Sequence, residues 1–510
     1  MWTVTRALTA SLAGLILIGC QTTKVSVTGQ NPEAPTWMGG QSETATSVST
    51  FNAQSVITVA FNDDEPSQRK LKYTPTTREV SPGASLMGWS YSEDDGASWT
   101  YGGSVKPSDD WPVLWGDPAI ASSRRDQRYV FMSSLAVPKS KMPASGTING
   151  SLVSFIGGAC IARSRDGGRT FDLYQCMHNN FEFYDGGSMA STTAGGIFAA
   201  FIATDSGRFD IWSAKDENAQ FVKLPDPFPN CRMAMHPRIR VGYPAIGLGE
   251  PDPSLFVAGQ IIDCKQGALA RDNPEQDNPG AFGQIIINRF HRGAWGTPRV
   301  ISEPSAVNPD ITLSDRKLRT GPQFSFDIGA ASQRDNDMSG KDEIRMLYTR
   351  SNGQRLWVEG SFCLYDLSQP CRPAPEWGST PGFYNYSGDQ FTPNVRAFPG
   401  FFGLPPAWAA TFVSRDHDPS GNTVQIRRGF LAALANGTRF LISSILVYPL
   451  LVCSDTRGYW GDYDDLQFVG FAPNSSAARF LRTFTDSSAG CTKRWEHLAE
   501  HVHVGSAAFP

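Results

Sequence analysis

Short apolar runs recur along the chain from about residue 41 to the C-terminus. Clusters of Gly, Pro, Asn, Asp and Ser separate them. Val56 to Phe61, Tyr129 to Leu135, Leu255 to Ile262 and Ala407 to Val413 are typical: each is strand length, rich in β-branched and aromatic residues, and bounded by turn formers. That punctuation predicts antiparallel strands joined by tight connections. No long stretch combines a helical period with a capping box and a charged face.

The runs group into a repeating unit. Each opens on a polar or acidic residue, enters a short strand, turns into a second apolar strand, and adds a third and fourth. The units open at Glu43, at Trp115-Gly116-Asp117, at Tyr184-Asp185, at His236-Pro237-Arg238, at Gln323-Phe324, at Asp389-Gln390 and at Trp460-Gly461-Asp462-Tyr463. The starts lie roughly 50 to 90 residues apart, the long end for a four-stranded repeat. The last unit shows three clear strands, and Lys24 to Thr28 is the candidate for a fourth strand supplied from the other terminus, which would remove the exposed edges.

Two turns in this pattern share one octapeptide. Ser92-Glu93-Asp94-Asp95-Gly96-Ala97-Ser98-Trp99 and Ser164-Arg165-Asp166-Gly167-Gly168-Arg169-Thr170-Phe171 both read S-x-D-x-G-x-[ST]-aromatic. A Ser and an Asp two apart can accept backbone N–H groups of a tight turn, and Gly supplies the positive φ. The key residues are Ser92, Asp94, Gly96 and Trp99 in one copy and Ser164, Asp166, Gly168 and Phe171 in the other. A third copy has decayed to Ser213 to Phe221. The Gly-Gly pairs at Gly186-Gly187 and Gly195-Gly196 read as turns between strands. The octapeptide resembles the Asp-box, or BNR repeat, of sialidase-like β-propellers. The resemblance implies an all-β fold: a β-propeller of four-stranded antiparallel blades, seven by the unit count, with six as the alternative because sialidases have six. It would occupy residues 41–510 as one domain.

Composition adds an address. Arg6 gives a positive n-region, Ala7 to Ile18 a short apolar core, and Leu17-Ile18-Gly19-Cys20 resembles a bacterial lipobox. Residues 1–20 therefore read as a lipoprotein signal peptide with Cys20 as the lipidated residue, and 21–40 as a tether. The expected location is the bacterial cell envelope, lipid-anchored to the membrane, with Gln21 favouring the outer membrane. Besides Cys20 there are eight cysteines, and an even number in an exported chain suggests disulfides. Proximity favours Cys160–Cys176, Cys231–Cys264, Cys363–Cys371 and Cys453–Cys491. Net charge is −4 and no basic stripe runs along the chain, so nucleic acid is not an expected partner.

Candidate chemistry gathers at the unit openings. If each opens an innermost strand, then Glu43, Asp117, Asp185, His236, Gln323, Asp389 and Asp462 ring one mouth of a central channel, beside Trp115, Tyr184, Trp460 and Tyr463. An acidic ring of oxygen ligands suits Ca²⁺, and carboxylates with aromatic rings suit sugar hydroxyls. The competing reading is structural, each acid bracing a strand entry. His501 and His503 would share one face of a strand, a possible pair of metal ligands or simply a polar face. Sialidase-like chemistry implies an Arg triad, an Asp acid/base and a Tyr nucleophile assisted by Glu. The early [FY]-R-I-P motif of that family is absent, and Pro237-Arg238-Ile239-Arg240 stands later and in a different order. Two readings follow: a binding lipoprotein presenting its channel mouth or loop face to a glycan or protein partner, or a glycoside hydrolase with Asp462, Tyr463 and Asp389 as participants.

Overall fold

The computed structural model describes residues 41–63, 78–149, 154–178, 182–234, 237–242, 254–265 and 283–301, and beyond these short stretches that are mostly the strands named below. Among the described residues no helix is long and apolar enough to cross a membrane.

The protein is an all-β β-propeller. Its sheets follow one another along the chain, each with its first strand innermost. The first comprises Gln41–Phe51, Gln54–Asp63, Met87–Ser92 and Thr100–Ser104 in that order. The second comprises Ala119–Ser122, Val130–Val137, Gly158–Ser164 and Asp172–His178, with Val113–Leu114 and Ala84–Ser85 extending it at one end. Tyr184–Ser191, Ile197–Ala203, Arg208–Ala214 and Val222–Lys223 form the third. In the fourth, Arg238–Gly242, Ser254–Cys264 and Ile285–His291 are joined by Ala294–Trp295 and Arg299–Val300. Phe324–Gly329, Glu343–Ser351, Leu356–Leu364 and Arg372–Pro373 follow, then Gln390–Phe398, Ala407–Ser414, Thr423–Ala433 and Arg439–Ile445. The last sheet combines Asp465–Phe471, Ala478–Asp486 and His501–Phe509 with the N-terminal strand Lys24–Ser26. Lys24 pairs with Gly505 and Ser26 with His503, so the two ends of the chain share one sheet.

Each innermost strand lies against the next, and Asp465–Phe471 lies against Gln41–Phe51, which closes the ring. The core sits between sheets rather than within one. Phe131, Leu135, Ile161 and Met177 of the second sheet pack with Tyr184, Ile197 and Phe201 of the third. Phe209, Ile211 and Phe228 pack in turn with Ile239, Leu255 and Val257. Strands buried on both faces explain the near-continuous apolar runs of the sequence, such as Val130–Val137, buried throughout.

Both octapeptides join the third and fourth strands of their sheets, and their hydrogen bonds match. Ser92 Oγ donates to Asp94 Oδ1 (2.8 Å) and accepts Gly96 N–H (2.8 Å). Ser164 Oγ donates to Asp166 Oδ1 (2.7 Å) and accepts Gly168 N–H (2.8 Å). Asp94 also accepts Ser98 N–H (2.8 Å), and Asp166 accepts Thr170 N–H (3.0 Å). The aromatic rings of Trp99 and Phe171 are buried at 4% and 8% exposure, closing the turn from below. The second turn also clamps the neighbouring sheet: Ser49 Oγ of the first sheet donates to Gly167 O of that turn (2.7 Å).

Among the described residues three disulfides join Cys160–Cys176, Cys231–Cys264 and Cys363–Cys371. Cys20, Cys453 and Cys491 lie outside the described residues. One sequence expectation is corrected. Gly186-Gly187 reads as a turn between strands, yet both residues lie inside Tyr184–Ser191, at a bulge between Asp185 and Gly187. Gly186 takes φ +50°, and a Cβ on Gly187 would stand 3.3 Å from the Asp117 carbonyl oxygen of the adjacent sheet. The glycines serve close approach of two innermost strands, which local sequence does not distinguish from a turn.

Candidate functional site

A cavity of about 370 Å³ occupies the propeller axis, lined by residues of all the innermost strands. Those strands converge on a small radius, so most positions facing the axis are small: Thr44, Ala45, Ser47, Ala119, Ser122, Gly187, Ser188 and Ser191. Their hydroxyls stitch one strand to the next. Ser122 Oγ donates to Val48 O (2.5 Å), Ser191 Oγ to Ser122 O (2.6 Å), and Ser188 Oγ accepts Ile239 N–H (3.1 Å). Further round, Ser325 Oγ accepts Val395 N–H (3.3 Å) and Asp327 Oδ2 accepts Ala397 N–H (2.9 Å). Unpaired inner edges thus find partners although no ladder joins the sheets there.

Longer side chains enter the cavity from three strands. Arg238 and Arg240 lie two apart on Arg238–Gly242 and so share a face. Asp327 and Arg396 come from the next two sheets. Arg240 Nε stands 3.7 Å from Asp327 Oδ1, while Arg240 Nη1 donates to Ile239 O (2.8 Å). Arg396 is 9% exposed. Asn394, Gln467 and Phe468 complete this part of the wall, and Arg124 stands beyond the end of Ala119–Ser122. Among the described lining residues Asp327 is the only carboxylate, and four arginines share the lining with it.

The unit-opening residues have a different fate. Asp117 and Asp185 stand next to the cavity wall without being part of it. Asp117 has φ +51° and its N–H donates to Asn62 Oδ1 (2.7 Å); Asp185 Oδ1 accepts Gly186 N–H (3.0 Å). Trp115 packs against the core between the second and third sheets. Glu43 lies on the innermost strand of the first sheet, in Gln41–Phe51, with its side chain outside the description. His236, Gln323, Asp389, Trp460, Asp462 and Tyr463 lie outside the described residues. His501 and His503 pair with Asp486 and Phe484 on the last sheet. Among the described residues no group of three or more His, Cys, Asp or Glu is placed to hold a metal ion.

Two polar clusters lie away from the axis and are structural. Asp210, fully buried, accepts Tyr184 Oη (2.7 Å), Arg208 Nε (3.1 Å) and Lys223 Nζ (2.6 Å). Burial, and then the Asp210 charge, push the Tyr184 hydroxyl far above the ordinary tyrosine range, so it stays a neutral donor. Glu217, 1% exposed, accepts Ser123 Oγ (2.6 Å) and pairs with Arg125, latching the third sheet to the second.

No family model matches this chain, and no curated protein matches it. Solved structures resemble it at a distance. An α-L-arabinanase of Penicillium chrysogenum complexed with arabinobiose is 12% identical, with 79% of this chain and 96% of that one covered and a TM-score of 0.37. AofleA from Arthrobotrys oligospora is 8% identical over 85% and 92% of the two chains, at 0.39. The six-bladed β-propeller lectin of Aleuria aurantia is 11% identical over 79% and 95%, at 0.34. At these identities and scores no functional property transfers.

Proposed function

We propose that this protein is an exported, lipid-anchored β-propeller that binds a saccharide in its axial cavity. The observation that carries the reading is the cavity itself. Its volume of about 370 Å³ suits one or two sugar rings, and guanidinium, amide and hydroxyl groups converge on it beside the Phe468 ring. The glycosidase alternative asks for two carboxylates, or for a Tyr with an acid partner. Asp389, Asp462 and Tyr463 lie outside the described residues, and the described wall offers guanidinium, amide and hydroxyl groups suited to holding a saccharide. Binding is therefore the reading that the described wall supports.

Two finer statements belong to the same proposal. Seven blades is the count we infer, supported by seven sheets of four or more strands among the described residues whose innermost strands succeed one another in a ring. Kinship with sialidase-like propellers rests on the two octapeptides, which share position and hydrogen bonding. Export and lipidation rest on the Arg6 to Cys20 segment, and three disulfides suit an oxidising compartment.

The test is an immobilised saccharide array probed with the purified protein, alongside hydrolysis of an aryl glycoside panel. The expected result is retention of at least one saccharide, weakened in the Gln467→Ala variant, with no release of aglycone. Turnover of any glycoside would replace binding with catalysis, and undiminished binding by Gln467→Ala and Arg238→Ala would move the ligand off the axis.

A further inference from the structure

The two ends of the chain meet in the last sheet, and their register fixes where a lipid on Cys20 would hold the propeller. The inference rests on the lipid-anchored reading just stated. In the first sheet the turn after Gln41–Phe51 and the octapeptide turn share one face, because Gln54 Nε2 donates to Glu93 O (3.2 Å). The octapeptide turns therefore lie on the side where the innermost strands end. The connections between sheets, such as the one holding exposed Asp109, return on the side where those strands start.

In the last sheet Phe471, at the end of the innermost strand, pairs with Ala478, and Ala478 pairs with Phe509, so Phe509 marks the octapeptide side. Lys24 pairs with Gly505 and Ser26 with His503 in antiparallel register, so the chain enters this strand from the octapeptide side. It leaves toward the side on which Gln41–Phe51 begins, as the connection to that strand requires. From Gly505 to the Phe509 end is about 13 Å at roughly 3.3 Å per residue. Cys20 precedes Lys24 by four residues, which reach at most about 14 Å. A lipid on Cys20 thus starts no farther out than about the level of that rim. The first octapeptide turn packs beside it: a Cβ on Gly96 would stand 3.5 Å from Leu481 Cδ1 of the last sheet. The exposed residues of that turn are Glu93, Asp94, Ala97 and Ser98, none of them a large apolar group, so the tether sets the spacing without insertion of the turn.

We propose that the octapeptide face of the propeller, at its last and first sheets, is the surface held against a lipid bilayer by the anchor on Cys20, and that the strand-start side is turned away from the membrane.

The test reconstitutes the lipidated protein in phosphatidylethanolamine–phosphatidylglycerol vesicles that carry an acceptor dye on a headgroup. A donor dye is attached at Ala97→Cys on the octapeptide face or at Asp109→Cys on the opposite face, both exposed positions, with dye taken up by the parent subtracted. At least about twofold more energy transfer is expected from Ala97→Cys, because an innermost strand of 11 residues separates the faces by roughly 35 Å. Inserting about twenty Gly and Ser residues after Gln21 adds a span of roughly 25 Å and should bring the ratio close to one, with the protein still floating with the vesicles. Equal transfer from the two positions, stronger transfer from Asp109→Cys, or a ratio that the insertion leaves unchanged overturns the orientation while flotation keeps the anchored reading in place. A parent that does not float, or flotation undiminished in Cys20→Ala, overturns the anchored reading itself and the orientation with it.

Discussion

Replacing Gly168 by Ala perturbs the contact on which the octapeptide turn depends. Gly168 has φ +99°, a region in which a side chain is strained by about 1–3 kcal/mol. The added Cβ would also fall 2.0 Å from Thr58 Oγ1 and 3.1 Å from Thr58 Cβ, on the second strand of the neighbouring sheet. Thr58 is fully buried, so it cannot swing away, and overpacking of this kind costs about 1–3 kcal/mol more. The expected destabilisation is therefore about 2–6 kcal/mol, large against the marginal stability of folded proteins. A double-mutant cycle separates the two terms. Thr58 Oγ1 is buried without a hydrogen-bond partner, so Thr58→Ala alone should cost little beyond its lost methyl, about 1 kcal/mol. In the Gly168→Ala background the same change removes the closest contact and should recover about 1–3 kcal/mol. Urea midpoints monitored by tryptophan fluorescence provide the readout. A Gly168→Ala protein within about 0.5 kcal/mol of the parent, or a coupling of zero, would refute the idea that the turn is wedged against the adjacent sheet.

Further outcomes follow from the same geometry. Burial alone would raise the Asp94 and Asp166 carboxyls, but hydrogen bonds from Ser98 and Ser92, and from Thr170 and Ser164, outweigh it and hold both below the ordinary aspartate range. A lowered folded pKa contributes stability that is present above the unfolded value, about 3.9, and is lost as pH falls through the folded one. The melting temperature should thus decline below about pH 4, and Asp94→Asn with Asp166→Asn should flatten that decline. Cys160→Ser with Cys176→Ser opens a loop of 16 residues and should cost about 2–4 kcal/mol, read as a shifted urea midpoint. Arg125→Ala strips a partner from buried Glu217, which keeps Ser123; a lowered urea midpoint is expected, and Glu217→Gln should cost less in that background than alone. Cys20→Ala should abolish labelled palmitate incorporation and release the protein from the membrane fraction.

Architecture was legible in this sequence for a physical reason. Strands packed on both faces leave apolar runs such as Val130–Val137, and outer hairpins need Gly and Asp at fixed offsets, so both signals are local. The cross-strand cysteines were legible too, because hairpin partners such as Cys160 and Cys176 are close in sequence and directly opposed in register. Gly186-Gly187 misled because a glycine required by a neighbouring sheet looks the same as one required by its own turn. The cavity wall was harder still. Arg240, Asp327 and Arg396 meet only because three sheets converge on one axis, and no window of sequence holds all three. One trace was present: Arg238-Ile239-Arg240 alternates charge and apolar residue as a strand with one face on the core and one on the axis must. Ile239 is fully buried while both arginines line the cavity.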